Sequence, residues 1–211
     1  MENLQKFYIN GAWVSPDSTA TMPVINPANE EIIATVALGN AVDVDRAVAA
    51  ASQAFATFSM TSKQERLALL ERIKQVTEAR FEDLAQAMRE EMGAPITFAR
   101  EAQADAAIGH LQGFVAALEK LEEEVDLGNG DILVREPIGV CGLITPWNWP
   151  INQIALKVLP ALAAGCTCIL KPSEHTPLPA MLYNETLHEA GCPPGLFNLV
   201  NGAHPEVGTA M

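Results

Sequence analysis

The spacing of apolar positions changes twice along the chain, and each change predicts a different kind of element. "FYINGAWV" alternates apolar and polar positions around Asn10-Gly11, a dipeptide suited to a type I′ turn, so a β-hairpin opens the chain. "MPVINPANEEIIATV" continues in the same extended rhythm, with Pro27 and Asn29 marking a turn, and a small antiparallel layer is expected here. Helical spacing follows. "DVDRAVAAASQAFATF" has a cap candidate in Asp43, and Ser62-Lys63-Gln64-Glu65 forms a capping box ahead of a helix whose Leu67, Leu70, Ile73 and Val76 share a face. A further helix through Phe81, Leu84 and Met88 should stop near Gly93-Ala94-Pro95, and another should run from about Ile96 to Leu118.

From Ile138 the rhythm changes again: "IGVCGLI", "INQIALKVLPALAAG", "CTCILK", "PLPAMLYNETLHEAG" and "LFNLV", then the opening of a helix at "HPEVGTAM". Apolar runs without polar alternation, separated by helical segments of about a dozen residues, predict βαβ units in a parallel sheet covered on both faces. The fold class is α/β, a Rossmann-like doubly wound parallel sheet seen in part. Three parallel strands alone would leave an apolar edge unpaired, so the chain reads as the N-terminal part of a longer polypeptide. The expected divisions are 1–123, hairpin plus cover helices of a cofactor-binding domain; 124–140, an extended arm; and 141–211, its βαβαβ part.

Composition narrows the partners. The 211 residues are 49% hydrophobic, enough for a sizeable core, and the formal charge of -13 argues against a surface that neutralises nucleic-acid phosphates. "MENLQKFYING" has no basic region followed by an apolar one, and "IALKVLPALAAGCTCIL" is broken by Lys157, Pro160 and Gly165. No secretory signal and no membrane span are expected, and the location expected is cytoplasmic. The 4 cysteines, Cys141, Cys166, Cys168 and Cys192, are too few for a disulfide framework, and without nearby partners Cys166 and Cys168 make a poor zinc site. Buried reduced thiols are expected, with no metal. The acidic run at Glu122 to Glu124 reads as a solvated face.

In an open parallel sheet, ligands bind beyond the carboxyl ends of the strands. Three such ends are visible: "TPWNWP", "KPSEHTP" and "NGAHPEVG". At the second, Lys171 and Glu174 flank Pro172 and Ser173; the carboxylate could accept from both hydroxyls of a ribose, or the two could be no more than a surface pair. At the third, Gly202, Pro205 and Gly208 could present helix N-terminal N–H groups to a phosphate, although the G-x-G-x-x-G fingerprint is missing. His204 reads as a surface loop residue. At the first, Asn148 sits between Trp147 and Trp149. An amide is neither acid nor base, so its catalytic use is as a fixed donor toward an oxygen that becomes negative, the alternative being a cap on the helix near Pro150. Trp149 precedes a proline and is pushed toward extended backbone.

"ITPWNWP", "LPALAAGCTCILKPSEHTP" and "AGCPPGLFNLVNG", in this order and with "YINGAWV", "INPANEEIIATV" and "VREPIGVCGLITPWN" before them, resemble the N-terminal half of the NAD(P)-dependent aldehyde dehydrogenase superfamily. The resemblance spans nearly the whole chain. It implies that Asn148 stabilises the alkoxide formed when a cysteine thiolate attacks an aldehyde, before hydride transfer and hydrolysis of a thioester. It implies that Ile144, Thr145, Pro146 and Trp147 lie along the cofactor, that Lys171 and Glu174 hold its adenosine ribose, and that Trp149 walls an aldehyde tunnel beside which Gln153, Leu156 and Lys157 lie. With Ser173, Gly202, Pro205 and Gly208 these make up the expected cofactor and substrate sites. The arm resembles the family's oligomerisation strand, so a homodimer or homotetramer is expected.

NAD is the expected cofactor, because Glu174 would repel a 2′-phosphate, with NADP possible because Lys171 could offset that repulsion. His204 stands where the family's N-G-x-G-P pattern has a second glycine. The resemblance also implies that the nucleophilic Cys and general-base Glu lie beyond residue 211, since none of the four cysteines matches the nucleophile's motif. Two other readings stay open from the sequence. One is a non-catalytic nucleotide-binding or oligomer-interfering module; the other is a reductase or acylating relative that uses the same thiohemiacetal chemistry.

Overall fold

The computed structural model describes residues 3–203 and 205–211. The opening hairpin pairs β1 (Phe7–Ile9) with β2 (Ala12–Val14) through Asn10 and Gly11, whose φ values of 54° and 79° are those of a type I′ turn. A second hairpin joins β3 (Thr21–Ile25) and β4 (Ile32–Ala37). Helices α1 (Ala41–Phe58), α2 (Lys63–Ala79) and α3 (Phe81–Met92) follow, the last ended by Gly93 at φ 66°. The long segment from Ile96 is one rod in three parts: α4 (Ile96–Phe98), a π-helical stretch over Ala99–Ala104 and α5 (Asp105–Lys120). Strands β5 (Glu124–Asp126) and β6 (Ile132–Val134) form a separate ribbon. Then come β7 (Val140–Ile144), α6 (Pro150–Ala163), β8 (Thr167–Lys171), α7 (Pro177–Glu189), β9 (Phe197–Leu199) and α8 (Pro205–Ala210).

Strands β7, β8 and β9 are parallel, as the two α-helical crossovers require, and the sheet is covered on both faces. Alternation along β8 divides the core. Cys168 and Leu170 face α6 and α7, where Ile151, Ile154, Val158, Leu159 and Leu162 are buried, while Ile169 faces α1 with Ala47, Ala51 and Val207. Each large apolar side chain of α6 removed from water contributes about 1.5–3 kcal/mol, which fixes the helix on the sheet and with it the loop that precedes it. Pro160 does not end α6; the helix runs through it to Ala163.

Four expectations need correction. The opening hairpin does not join the small antiparallel layer, which β3 and β4 form alone: β1 pairs antiparallel with β9 through Tyr8 and Leu199, giving the order β2-β1-β9-β8-β7. It thereby covers one edge of the parallel strands. Asn40, not Asp43, caps α1; Asp43 is the reciprocal partner three positions on, and its buried carboxylate also accepts from the Asp17 N–H. The buried face of α2 centres on Arg66, Leu69, Leu70, Ile73 and Thr77, with Leu67 and Val76 at its margin. The acidic run is not wholly solvated, because Glu123 accepts from the buried Arg66 guanidinium. Among the described residues no helix is long and apolar enough to cross a membrane.

Candidate active site at the strand ends

The loops after β7 and β8 leave the sheet side by side. Ile144 is in register with Lys171, and the Thr145 N–H donates to the Lys171 carbonyl at 3.2 Å, so Thr145 is buried while Ile144, Pro146, Trp147 and Asn148 stand at the surface. Helix α6 starts with Trp149 at the cap and no side-chain cap bond. The capping alternative for Asn148 therefore fails, and its side-chain amide is exposed.

Lys171 Nζ lies 3.4 Å from Glu174 Oε2 and donates to the Pro172 carbonyl at 3.2 Å. Lys171 is mostly buried, which separates this pair from an ordinary surface one. Burial opposes ionisation of Glu174, but its own backbone N–H, Lys171 and His175 outweigh that and hold its carboxyl below its ordinary value. Glu174 is thus a carboxylate at neutral pH, fit to accept from hydroxyls. Trp147 and Glu174 both line an open cleft of ≈ 670 Å³, lined also by Met22 to Ile25 of β3 and by Glu91 and Met92 of α3.

The third loop is placed differently. Gly202 is buried, and a Cβ there would lie 2.7 Å from Val207, so close packing of α8 on the end of β9 accounts for this glycine. Gly208 approaches Ile144, with 3.9 Å between a built Cβ and Ile144 Cδ1. Pro205 is exposed at the start of α8, Ser173 is buried with its Oγ accepting from the His175 N–H, and His204 lies outside the described residues.

Trp149 meets Phe98 edge to face at 5.5 Å between ring centroids, and Gln153, Leu156 and Lys157 follow on the outer side of α6. Burial, with the neighbouring Cys166, pushes the Cys141 thiol up to about 11; burial pushes Cys192 up to about 12 and raises Cys168 as well. Such thiols are poor nucleophiles.

The aldehyde dehydrogenase family model matches residues 13–211. The chain belongs to the aldehyde dehydrogenase family. Among its relatives, a 3-succinoylsemialdehyde-pyridine dehydrogenase of a Pseudomonas species is 50% identical over 212 residues, covering 100% of this chain and 44% of that protein. A variant of aldehyde dehydrogenase C from Pseudomonas syringae, in complex with NAD+ and octanal, superposes with a TM-score of 0.97 at 52% identity, over 99% of this chain and 43% of that one. A betaine aldehyde dehydrogenase from Staphylococcus aureus in complex with NAD+ gives 0.92 at 35% identity, over 100% of this chain and 44% of that one. This aldehyde dehydrogenase chain therefore spans less than half the length of these relatives.

Sequence reasoning missed Phe98, Glu91 and the pair His110 and Asn152, which meet at 2.7 Å between Nε2 and Oδ1. Asn152 was within reach, being four positions before Leu156 and so on the same face of α6. Nothing local marks His110 or Glu91.

Proposed function

We propose that the polypeptide carrying this chain oxidises an aldehyde to a carboxylic acid with NAD, and that Asn148 supplies a fixed N–H donor to the oxygen that becomes negative when the aldehyde is attacked. The observation that carries this is the exposed, non-capping Asn148 beside Trp147 at the same sheet end as the ionised Glu174. Glu174 and Lys171 fit the hydroxyls of an adenosine ribose, and Ile144 through Trp147 fit the length of the cofactor. NAD, when bound, accepts the hydride. A 2′-phosphate would meet the Glu174 carboxylate, which favours NAD over NADP. Trp149 and α6 border the path of the aldehyde chain. The attacking thiolate is none of the four cysteines: burial raises the thiols of Cys141, Cys168 and Cys192, Cys166 is buried, and all four suit a structural role.

Free cysteines and a strongly acidic balance support a cytoplasmic location. The ribbon β5–β6, with Ile132, Leu133 and Val134 exposed, supports association of subunits through residues 124–140. The test is growth of absorbance at 340 nm from NAD and a panel of aldehydes. Asn148→Ala should lower kcat by about 10²–10³, the usual cost of one oxyanion donor, with the KM for NAD little changed. A variant that keeps the wild-type kcat would remove Asn148 from the mechanism.

A further inference from the structure

The relatives differ in substrate, one a succinoyl semialdehyde joined to pyridine and another octanal, so they do not choose between a polar and a plain aldehyde chain. The wall beside Asn148 carries more information. Asn152 and Leu156, four positions apart, share one face of α6, and with the cap residue Trp149 just ahead of the helix they make a stripe running away from Asn148. Its first member packs on Phe98, which is 42% exposed, and its last, Leu156, is 40% exposed. Asn152 is thus an amide set in the middle of an otherwise apolar stripe.

That amide is held from the neighbouring helix. His110 of α5 lies with Nε2 2.7 Å from Asn152 Oδ1, both side chains half-buried, so in this arrangement the imidazole donates and the Asn152 oxygen accepts. The Nδ2 hydrogens remain to donate elsewhere. An aldehyde chain that covers this stripe takes Asn152 out of water. A plain alkyl chain leaves its donors unpaired, whereas a chain with an oxygen at that point satisfies them.

We propose that His110 and Asn152 select aldehydes whose chain carries a hydrogen-bond-accepting oxygen, a carboxylate or a ketone, a few carbons from the aldehyde carbon. Asn152 lies in the first turn of α6, just beyond Asn148 and the Trp149 cap, so an acceptor a few carbons along the chain would reach it. This rests on the dehydrogenase reading above, and on Asn148 lying at the reacting end. Asn152 is the specificity-determining residue; His110 positions it.

The test compares kcat/KM for succinate semialdehyde and for an uncharged 4-keto aldehyde with that for pentanal, in the full-length enzyme with NAD. In the wild type the ratio should favour at least one acceptor-bearing aldehyde by about tenfold or more. Asn152→Leu removes the donor and should bring the ratio toward one. Asn152→Asp, nearly the same size and still able to accept from His110, should do so for the ketone and more strongly for succinate semialdehyde. A preference for the semialdehyde alone assigns a carboxylate acceptor; a preference for both assigns a carbonyl oxygen in general. A wild-type ratio near one, or a ratio unchanged in both variants, overturns the proposal while leaving the dehydrogenase reading intact. Absence of NAD-dependent turnover on every aldehyde overturns that reading and this one with it.

Discussion

Glu91 is 3% exposed, with Oε1 accepting from the Leu178 N–H at 2.9 Å and Oε2 without a partner among the described residues. It satisfies one of the orphan N–H groups at the start of α7, where no side chain of the helix's own cap does so. Burial pushes its carboxyl well above its ordinary value, and the single N–H only partly offsets this. The folded state therefore keeps a proton that the unfolded chain releases above about pH 4.3. With the folded value raised, the stabilisation is complete below that pH and is lost as pH rises toward the folded value, by at most about 1.4 kcal/mol per pH unit. Glu91→Gln keeps the acceptor for Leu178 and removes the titration. Urea midpoints measured from pH 5 to 8 should fall more steeply in the wild type than in the variant; parallel curves would show that Glu91 ionises without cost.

The start of α1 shows how a helix end is built from several side chains at once. Asn40 accepts from the Asp43 N–H and donates to Asp17 Oδ2, while the fully buried Asp43 carboxylate accepts from the N–H groups of Asn40 and Asp17 and pairs with Arg46. Asn40→Ala should cost about 1 kcal/mol, the usual value of a cap, and Asp43→Ala more, about 2–3 kcal/mol, because hydrogen bonds to a buried charged group are lost. Equal midpoints for the two variants in thermal unfolding would deny Asp43 that role. The same region explains what the sequence could convey. Elements set by local spacing were legible: the type I′ hairpin, the Ser62 capping box, the stop at Gly93 and the three strand ends, including Asn148 and the pair Lys171 and Glu174. Partners chosen across the fold were not. Pairing of β1 with β9 joins the two ends of the chain, the His110 bond to Asn152 spans 42 positions, and Glu91 reaches α7 from a different helix, none of which leaves a local pattern.

The ribbon β5–β6 stands apart from the main sheet and is held mostly by its own ladder, from Glu124 opposite Val134 to Asp126 opposite Ile132. Two strands alone are at best marginally stable in water. Here Ile132 and Val134, on one face, are 62% and 51% exposed, and Leu133 on the other is 42% exposed, so neither face is buried by the chain itself. Anchoring comes at the base, where Arg135 donates to the Glu122 carbonyl and Glu123 pairs with Arg66. A ribbon tethered at its base with apolar side chains exposed along its length gains most from burial against another subunit, and a stable interface needs about 800 Å² from each partner. Replacing both Ile132 and Val134 with Asp places charge on that face while keeping Glu123, Arg135 and the strand-end site in place. Sedimentation of the full-length protein should then shift from an oligomer to a monomer, with the far-ultraviolet circular dichroism unchanged. An unaltered mass in the double variant would mean that subunits meet elsewhere and that the exposed face of the ribbon has another use.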